Sequence, residues 1–366
     1  MKRRILTLLL ALLATQLGSL VNPAWACGCG AMVPDGQSRI GVSRETSVVR
    51  FDGRTEQIVM RFTVGGNAKQ AAWIMPVPTR ATVELGDPAV FGELERATLP
   101  EHKARYYFWP RQGDWPFSSS IGDTAAAPPP EAAAPVGVVG REQLGDFDVA
   151  RLTATDPGAL RGWLESNGFR LPETLAAEVK PYVDQGWEYV AVRLAPRGKG
   201  RILYGTLDPL RIRFDSDRLV YPMRLSRMAK TPQSLGLYVL ADHRMEPVGR
   251  IGGEAPKVTF AGRITPDRHL AALTDGKEAF LTAIDQEFPE PGRIDGDHEL
   301  RATAADTPYR RAVYHGVIRK VGGVPAWLLT VGAGFLTVLL GAVVALRRRR
   351  ARRAAPPAPT APPNPA

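Results

Sequence analysis

Two cysteines, Cys27 and Cys29, carry the most reactive side chains of this 366-residue sequence, and a single glycine separates them. In an oxidising compartment they could form a local disulfide or stay as simple thiols. Cu(I) or zinc binding would need more ligands, and no histidine or methionine cluster lies beside the pair. Redox catalysis would need the two-residue spacer that this motif lacks. We therefore expect a disulfide or a plain thiol pair.

Lipidation of Cys27 is a further alternative, because this residue follows a candidate signal-peptide cleavage site. The three preceding residues are Ala24, Trp25 and Ala26. Lipidated cysteines usually have leucine at the first of these positions, and the bulky Trp25 fits the pattern poorly. The sequence favours ordinary signal cleavage between Ala26 and Cys27.

Histidines and catalytic motifs offer little more. No two of the five histidines have the spacing of metal ligands on one helix face; they are His102, His243, His269, His298 and His315. Motifs for a serine nucleophile, a Ser/Lys acyl-enzyme and a phosphate-binding loop are missing. The sequence predicts no catalytic residue, cofactor or metal site, although a site assembled from distant residues stays open.

Three acidic stretches are interpreted as polar turns or strand ends. Residues 295–299 offer oxygen ligands for calcium, but the rest of an EF-hand pattern is missing. Asp215 and Asp217 flank a predicted turn, a position that aspartate favours. Asp242 and His243 place an acid beside a base, but neighbours on a strand point to opposite faces. We therefore expect a solvated strand end there.

The first 26 residues have the three parts of a secretory signal peptide. A basic start at residues 2–4 precedes an apolar run at residues 5–13, and small residues flank the cleavage position. An uncleaved leader that acts as a second anchor is the alternative. Export of the chain from residue 27 onward is the expectation.

Residues 324–346 form an uncharged run of 23 residues, long enough as a helix to cross the roughly 30 Å hydrocarbon core of a bilayer. Trp327 lies near one end, at interfacial depth. A stop-transfer block follows, which consists of Arg347, Arg348, Arg349, Arg350, Arg352 and Arg353. A buried core helix rarely ends in this way. We predict a single-pass cell-membrane protein with residues 27–323 outside and the tail, residues 347–366, in the cytoplasm.

The net charge of +10 is explained by the two targeting segments. Removing the three basic residues of the leader and the six arginines after the span from the 47 basic residues leaves 38, against 37 acidic residues. A nearly neutral exported region makes nucleic acid an improbable partner. The membrane is the one partner that the sequence identifies, and an extracellular partner is left unidentified.

The exported region, residues 27–303, alternates strand and helix signals. Asp52-Gly53 predicts a hairpin between strands at residues 47–51 and 56–64. Further strands are predicted at residues 70–75, 147–153, 187–194, 210–214, 221–225, 234–241 and 295–303. Helices are predicted after Asp87 and Asp156, after Pro172 with a kink at Pro181, and at residues 277–288. This pattern indicates an α+β fold with antiparallel strands.

Three segments interrupt that pattern. The aromatic run Tyr106-Tyr107-Phe108-Trp109 could be an exposed recognition patch, but a packed strand is the expectation. Residues 118–138, rich in Ala and Pro, are expected to form a flexible loop that could divide the region into two lobes. Residues 304–323 are expected to form a short stalk before the membrane.

Several short motifs together resemble one family. They are Cys27-Gly28-Cys29, Ala72-Trp73-Ile74-Met75-Pro76-Val77-Pro78, Trp163-Leu164-Glu165-Ser166-Asn167-Gly168-Phe169, residues 182–191, Tyr221-Pro222-Met223-Arg224-Leu225 and residues 238–244. In this the chain is similar to exported bacterial proteins grouped as domain of unknown function 2330, over residues 27–303. The resemblance implies an exported, often membrane-tethered protein and assigns no functional residue. The Ala/Pro stretch departs from the family pattern, which favours a loop within one unit.

Three functional hypotheses follow. The first is a non-enzymatic cell-surface protein that binds a partner or envelope component through its exported domain. The second is an envelope enzyme whose site is assembled from distant residues. The third is a thiol or metal protein that uses Cys27 and Cys29.

Overall fold

The computed structural model describes residues 30–354 except 37, 112–113, 115–142, 145–146, 153–156, 171–172, 197–200 and 254. The predicted disulfide and signal cleavage at Ala26, Cys27 and Cys29 therefore lie outside the described residues. The chain divides into two units. Unit 1 comprises Met1–Pro100 and Pro135–Arg311, and unit 2 comprises Glu101–Ala134 and Ala312–Ala366.

Most of the described elements are strands. In chain order they are β1 (Ala31–Pro34), β2 (Ile40–Phe51), β3 (Thr55–Gly66), β4 (Ala71–Val77), β5 (Thr82–Leu85), β6 (Glu101–Tyr107), β7 (Gln143–Leu144), β8 (Phe147–Leu152), β9 (Glu188–Leu194), β10 (Gly205–Thr206), β11 (Leu210–Asp215), β12 (Leu219–Tyr221), β13 (Gln233–Ala241), β14 (Met245–Pro247), β15 (Lys257–Ile264), β16 (Ala279–Phe288), β17 (His298–Ala302), β18 (Tyr309–Arg310), β19 (Ala312–Ile318), β20 (Lys320–Val321) and β21 (Val324–Pro325).

The α-helices of the described residues are α1 (Ala89–Ala97), α2 (Pro157–Ser166), α3 (Glu173–Asp184), α4 (Arg268–Thr274) and α5 (Ala326–Ala354). Two 3-10 helices lie at Arg224–Met228 and Pro291–Arg293. Strand content and mostly antiparallel pairing confirm the predicted α+β class.

Unit 1 contains three sheets. The largest has the strand order β18-β15-β16-β13-β2-β3-β11-β5, with β10 also paired to β3. Its pairs are antiparallel except for the parallel pair of β2 and β13. A second sheet has the order β1-β4-β9-β8-β7, and a three-stranded sheet has the order β12-β17-β14.

Side-chain alternation along the strands separates three cores. On β4, Trp73 and Met75 enter the core shared by the two large sheets, whereas Ala72 and Ile74 pack with α2 and α3 on the other face. On β13, Leu240 points away from the shared core and packs with α1 and α4. Successive strand residues face opposite sides, so one apolar strand can serve two layers. Unit 1 is therefore layered as helices, sheet, sheet and helices.

The predicted hairpin forms as expected. Asp52 Oδ1 accepts hydrogen bonds from Arg54 N at 3.0 Å and Thr55 N at 2.7 Å, while Gly53 takes the positive φ of +89° that the turn needs. Register pairs Phe51 with Glu56. This turn carries Phe51, Asp52 and Gly53 to the end of the large sheet.

The predicted helix at residues 277–288 is wrong, because Ala279–Phe288 is the strand β16. Its Ala, Leu, Glu and Gln residues favour a helix locally. However, β16 lies between β13 and β15, and nearly all of its side chains are buried. Pairing on both edges and burial on both faces override the local preference.

Two strand boundaries also differ from the prediction. The strand predicted to stop before Pro76 continues as β4 to Val77, with Pro76 opposite Tyr189 of β9. Since β1 pairs with β4 only as far as Ile74, the missing proline N–H falls where β4 has one neighbour among the described residues. The strand predicted through Leu225 ends at Tyr221, and a 3-10 helix follows.

Unit 2 contains a two-stranded parallel ribbon of β6 and β19, a short hairpin of β20 and β21, and α5. The segment expected to be a stalk therefore holds strands. Helix α5 is apolar enough over Ala326–Arg352 to cross a membrane. Arg347, Arg348, Arg349 and Arg350, the predicted stop-transfer residues, lie in its last turns and are exposed.

Candidate ligand-binding cleft

Unit 1 has a cleft of about 360 Å³ at one end of its large sheet. Five chain segments meet there: the β2–β3 turn, the residues before and at the start of β12, the end of β13, the start of β14 and the end of β17. Because turns and strand ends are freed from the ladder, their side chains can converge on one space. This convergence is the strongest indication of a binding site among the described residues.

The floor of the cleft is apolar and its rim is charged. The apolar lining consists of Phe51, Leu219, Ala241, Met245, Leu300 and Ala302. The charged lining consists of Asp52, Asp217, Arg218, Asp242 and Arg301, joined by His243. Apolar walls with a few convergent polar groups are typical of small-molecule sites. Among the thirteen lining residues there is no serine, threonine, cysteine or lysine that could act as a nucleophile.

The two arginines of the rim are already paired. Arg218 lies 3.8 Å from Glu299, and Arg301 lies 3.1 Å from Glu246. Neither glutamate lines the cleft. The lining carries three carboxylates against two arginines, so its formal charge without His243 is negative by one.

The carboxylates are held differently. Although partial burial opposes the shift, the N–H groups of Thr55 and Arg54 and the charge of Arg50 lower the pKa of Asp52, so this carboxyl stays ionised. Asp242 is 72% exposed and lies 3.5 Å from Arg50. Asp217 has no ion pair among the described residues. All three carboxylates retain access to solvent at the rim.

His243 is oriented by an acid that lies beyond the cleft lining. Its Nδ1 is 3.2 Å from Oδ2 of Asp306, and the histidine is 65% exposed. The N–H of Arg244 lowers the pKa of Asp306, with further contributions from His243 and Arg263. An ionised Asp306 fixes the ring of His243 and leaves the other ring nitrogen for a ligand.

The predicted solvated strand end is observed, because Asp242 and His243 are exposed directly after β13. β13 ends at Ala241, so the two residues lie beyond the strand and are not bound by its alternation. Both line the cleft. Asp52, Arg218 and Arg301 were not predicted as site residues, because their proximity depends on the order of strands in two sheets.

A second group of polar residues lies inside unit 1 around β12, and we call it the buried polar set: Glu45, Ser47, Glu56, Tyr221 and His298. Tyr221 Oη contacts both Glu45 and Ser47, and Glu56 Oε2 accepts from Val220 N at 3.1 Å. His298 lies opposite Tyr221 in the β12–β17 pair. All five residues are at most 4% exposed. Polar side chains buried this deeply bear on the stability of the fold.

Burial shifts two of these groups away from the charged form. Desolvation raises the pKa of Glu56 well above its ordinary value, partly opposed by the Val220 N–H. Desolvation lowers the pKa of His298 from 6.5 to about 4, and its Nδ1 has no partner among the described residues. His298 is therefore neutral at pH 7, and Glu56 is shifted toward its neutral form.

The other singled-out residues are dispersed. His269 Nδ1 lies 2.6 Å from Asp87, which also accepts from Ala89 N at the start of α1. Asp297, from the acidic stretch, accepts from Tyr182 Oη and from the backbone N–H groups of Met223 and Arg224. Asp297 thus links the start of β17 to α3, and its Oδ1 is already engaged by protein donors. His102 and His315 lie in unit 2. Among the described residues no group of three or more His, Cys, Asp or Glu side chains could hold a metal ion.

Comparisons with known proteins give one clear match. The model of a bacterial family described as "Uncharacterized protein conserved in bacteria (DUF2330)" matches residues 23–301. No curated protein matches significantly. The crystal structure of baculovirus P35 aligns with a TM-score of 0.33 and 9% identity, over 74% of this chain and 96% of that one. That likeness is too low to carry an argument.

Proposed function

This chain belongs to the DUF2330 family, and from that premise we propose that it is an exported, single-pass membrane protein whose unit 1 binds a small ligand. The cleft lined by Asp52, Asp217 and Asp242 is the observation that carries the proposal. The signal peptide, the external N-terminus and the cytoplasmic tail rest on the sequence. Helix α5 supports the membrane anchor.

The chemistry of the cleft favours a ligand with a cationic group on an apolar body. Phe51, Met245 and Leu300 offer apolar contacts, while the rim carboxylates offer acceptors for an ammonium or guanidinium group. Since Arg218 and Arg301 are paired with glutamates outside the cleft, an anionic ligand would have to compete for them.

Phenethylamine is a suitable first probe, because it combines an ammonium group with an aromatic ring. The full chain in nanodiscs should bind it in a calorimetric titration, and Asp242→Asn or Asp217→Asn should weaken binding roughly tenfold each, the loss of about 1.4 kcal/mol. Asp208→Asn is the matched control, since Asp208 is exposed and lies outside the cleft. Binding of phenylacetate with equal or higher affinity would overturn the charge argument.

The topology has its own test in the intact mass of the protein from its native membrane, before and after reduction and alkylation. A mass that begins at Cys27 and is two hydrogens lighter before reduction supports signal cleavage and a disulfide. An added diacylglycerol would make Cys27 a second anchor. A mass that still includes Met1 would contradict the cleaved signal peptide.

General acid–base catalysis in the same cleft is the second candidate function. The His243–Asp306 contact favours it, because an oriented imidazole with one available nitrogen is a competent general base. His243→Gln separates the candidates. A binding protein would keep most of its affinity and show no turnover in either form, whereas an enzyme would lose turnover of its substrate while binding persists.

A further inference from the structure

In the aromatic run Tyr106-Tyr107-Phe108-Trp109, for which a packed strand was expected, the first and last residues are exposed and the two between them are half-buried. Tyr106 is 64% exposed and Trp109 is 65% exposed. The ring of Phe108 makes an edge contact with Trp109 at a centroid distance of 5.1 Å. Exposed aromatic side chains of this size on one short segment form an apolar surface that is typical of an interaction site.

The ribbon of β6 and β19 gives this run little shelter. It has two strands, and most of its side chains are exposed on both faces. An isolated two-stranded sheet is marginally stable in water, so a further contact should stabilise it.

Hydrogen bonds place the aromatic end of the ribbon at the start of α5. Because the ribbon is parallel, Tyr107 and Ile318 end their strands side by side. Arg319 N donates to Tyr107 O at 2.9 Å, and Ala326 N donates to Arg319 O at 2.8 Å. Arg319 thus joins the last residue of β6 to the first residue of the helix. Whatever lies at the N-terminal end of α5 also lies beside the aromatic run.

The charges near this end suit an anionic surface. Four exposed cations, Arg105, Arg111, Arg319 and Lys320, lie in or next to the ends of the ribbon strands. Arg111 also stacks over the ring of Tyr107 at 4.2 Å. The nearby acid Asp114 accepts from Tyr107 Oη at 2.7 Å. Among the described residues at this end of the ribbon, positive charges outnumber negative ones.

We propose that the aromatic run Tyr106–Trp109 inserts into the lipid–water interface around the exported end of α5, where its basic neighbours contact anionic phospholipid headgroups. Tyrosine and tryptophan favour that depth because their rings are apolar at one end and polar at the other. Cationic side chains at the same depth are attracted by anionic headgroups. This second attachment rests on the proposed insertion of α5 in the membrane.

Spin-label accessibility in nanodiscs of phosphatidylcholine and phosphatidylglycerol tests the proposal on the full chain, with Cys27 and Cys29 replaced by serine. One label is placed at Pro110, next to the run, and a second at Val338, in the middle of α5. A third at Ala361, in the tail, gives the aqueous reference. The ratio of oxygen to nickel-chelate accessibility at position 110 should exceed the reference roughly threefold, and position 338 should exceed both.

Variants in the labelled chain give the decisive comparison. Tyr106→Ser with Trp109→Ser should return position 110 to the aqueous ratio. Tyr314→Ser is the matched control, because Tyr314 is 63% exposed but pairs with Lys103, four residues before the end of the ribbon. It should leave position 110 unchanged. Pure phosphatidylcholine should lower the ratio at position 110 in the parent chain.

The labels test the interfacial position of the run and the membrane insertion of α5 separately. Suppose the accessibility ratio is aqueous at position 110 while the label at position 338 lies deep in the bilayer. That result would contradict the interfacial position of the run and leave the membrane span intact. Protection of position 110 from both reagents would also overturn it, because the run would then be covered by protein. An aqueous ratio at position 338 would instead contradict the membrane insertion of α5.

Discussion

The cleft and the buried polar set of unit 1 each contain carboxylic acids and a histidine, and they differ in access to water. In the cleft, Asp242 is 72% exposed, so water solvates its side chain. In the buried set, Glu56 is fully covered and is driven to its neutral form. The comparison teaches that a concentration of acids and a histidine indicates a binding site only where solvent reaches it. Where solvent is excluded, the same residues bear on stability.

The largest effect is expected at Tyr221 in the buried set. Tyr221→Ala should lower the free energy of unfolding by about 3–5 kcal/mol, the range for removing a large buried aromatic side chain. Urea denaturation of the solubilised chain measures it. Tyr221→Phe, which keeps the ring and leaves Glu45 short of one donor, should cost about 1–3 kcal/mol. Equal losses in the two variants would show that the hydroxyl, and not the ring, is what matters.

The pH dependence of stability should differ between variants of His298 and His243. In the unfolded chain His298 takes up a proton near pH 6.5, whereas the folded chain keeps it neutral down to about pH 4. Its contribution to the free energy of unfolding is therefore complete above pH 6.5. That contribution is lost as pH falls, by about 2 kcal/mol between pH 7 and pH 5. His298→Gln should remove this slope in denaturation at several pH values. His243→Gln, at the exposed cleft, should retain it.

Glu56 should show the opposite slope. The pKa of Glu56 is raised in the folded chain. Its contribution to the free energy of unfolding is therefore present below pH 4.5 and is lost as pH rises toward the pKa of the folded state. Glu56→Gln should therefore raise stability at pH 7 by about 1 kcal/mol or more, because no buried group is then forced to hold a proton. Thermal unfolding at pH 5 and pH 7 measures the difference. A variant less stable than the parent at pH 7 would mean that Glu56 is charged in the fold.

The smallest effect on stability is expected in the cleft. Asp242→Asn should change the free energy of unfolding by less than about 0.5 kcal/mol, because its ion pair with Arg50 is mostly solvated. The same variant should weaken phenethylamine binding. A large loss of stability would make Asp242 a structural residue and would remove the contrast between the two regions.

Local patterns were sufficient for much of the fold. Asp52-Gly53 predicted the hairpin, Asp87 predicted the start of α1, and alternation predicted β11 and β13. These elements depend on neighbours within a few residues, which the sequence displays directly. Residues 279–288 were misassigned because β16 is stabilised by strands that are distant in sequence.

The cleft could not be predicted in the same way. Its lining comes from residues 51–53, 217–219, 241–245 and 300–302, and the strand order of unit 1 is what brings them together. Each acid read in isolation resembles a polar turn residue. Only pairing between strands that lie far apart in the sequence makes them one site.

By itself the sequence determined the uncharged run before the arginine block, the neutral exported region and the α+β pattern, because these follow from composition and short-range periodicity. Tertiary structure alone decided which acids face water and which are buried. It also decided that the aromatic run lies beside the start of α5, through Arg319 and two hydrogen bonds. Burial and long-range pairing depend on the whole chain, and no local window of residues contains them.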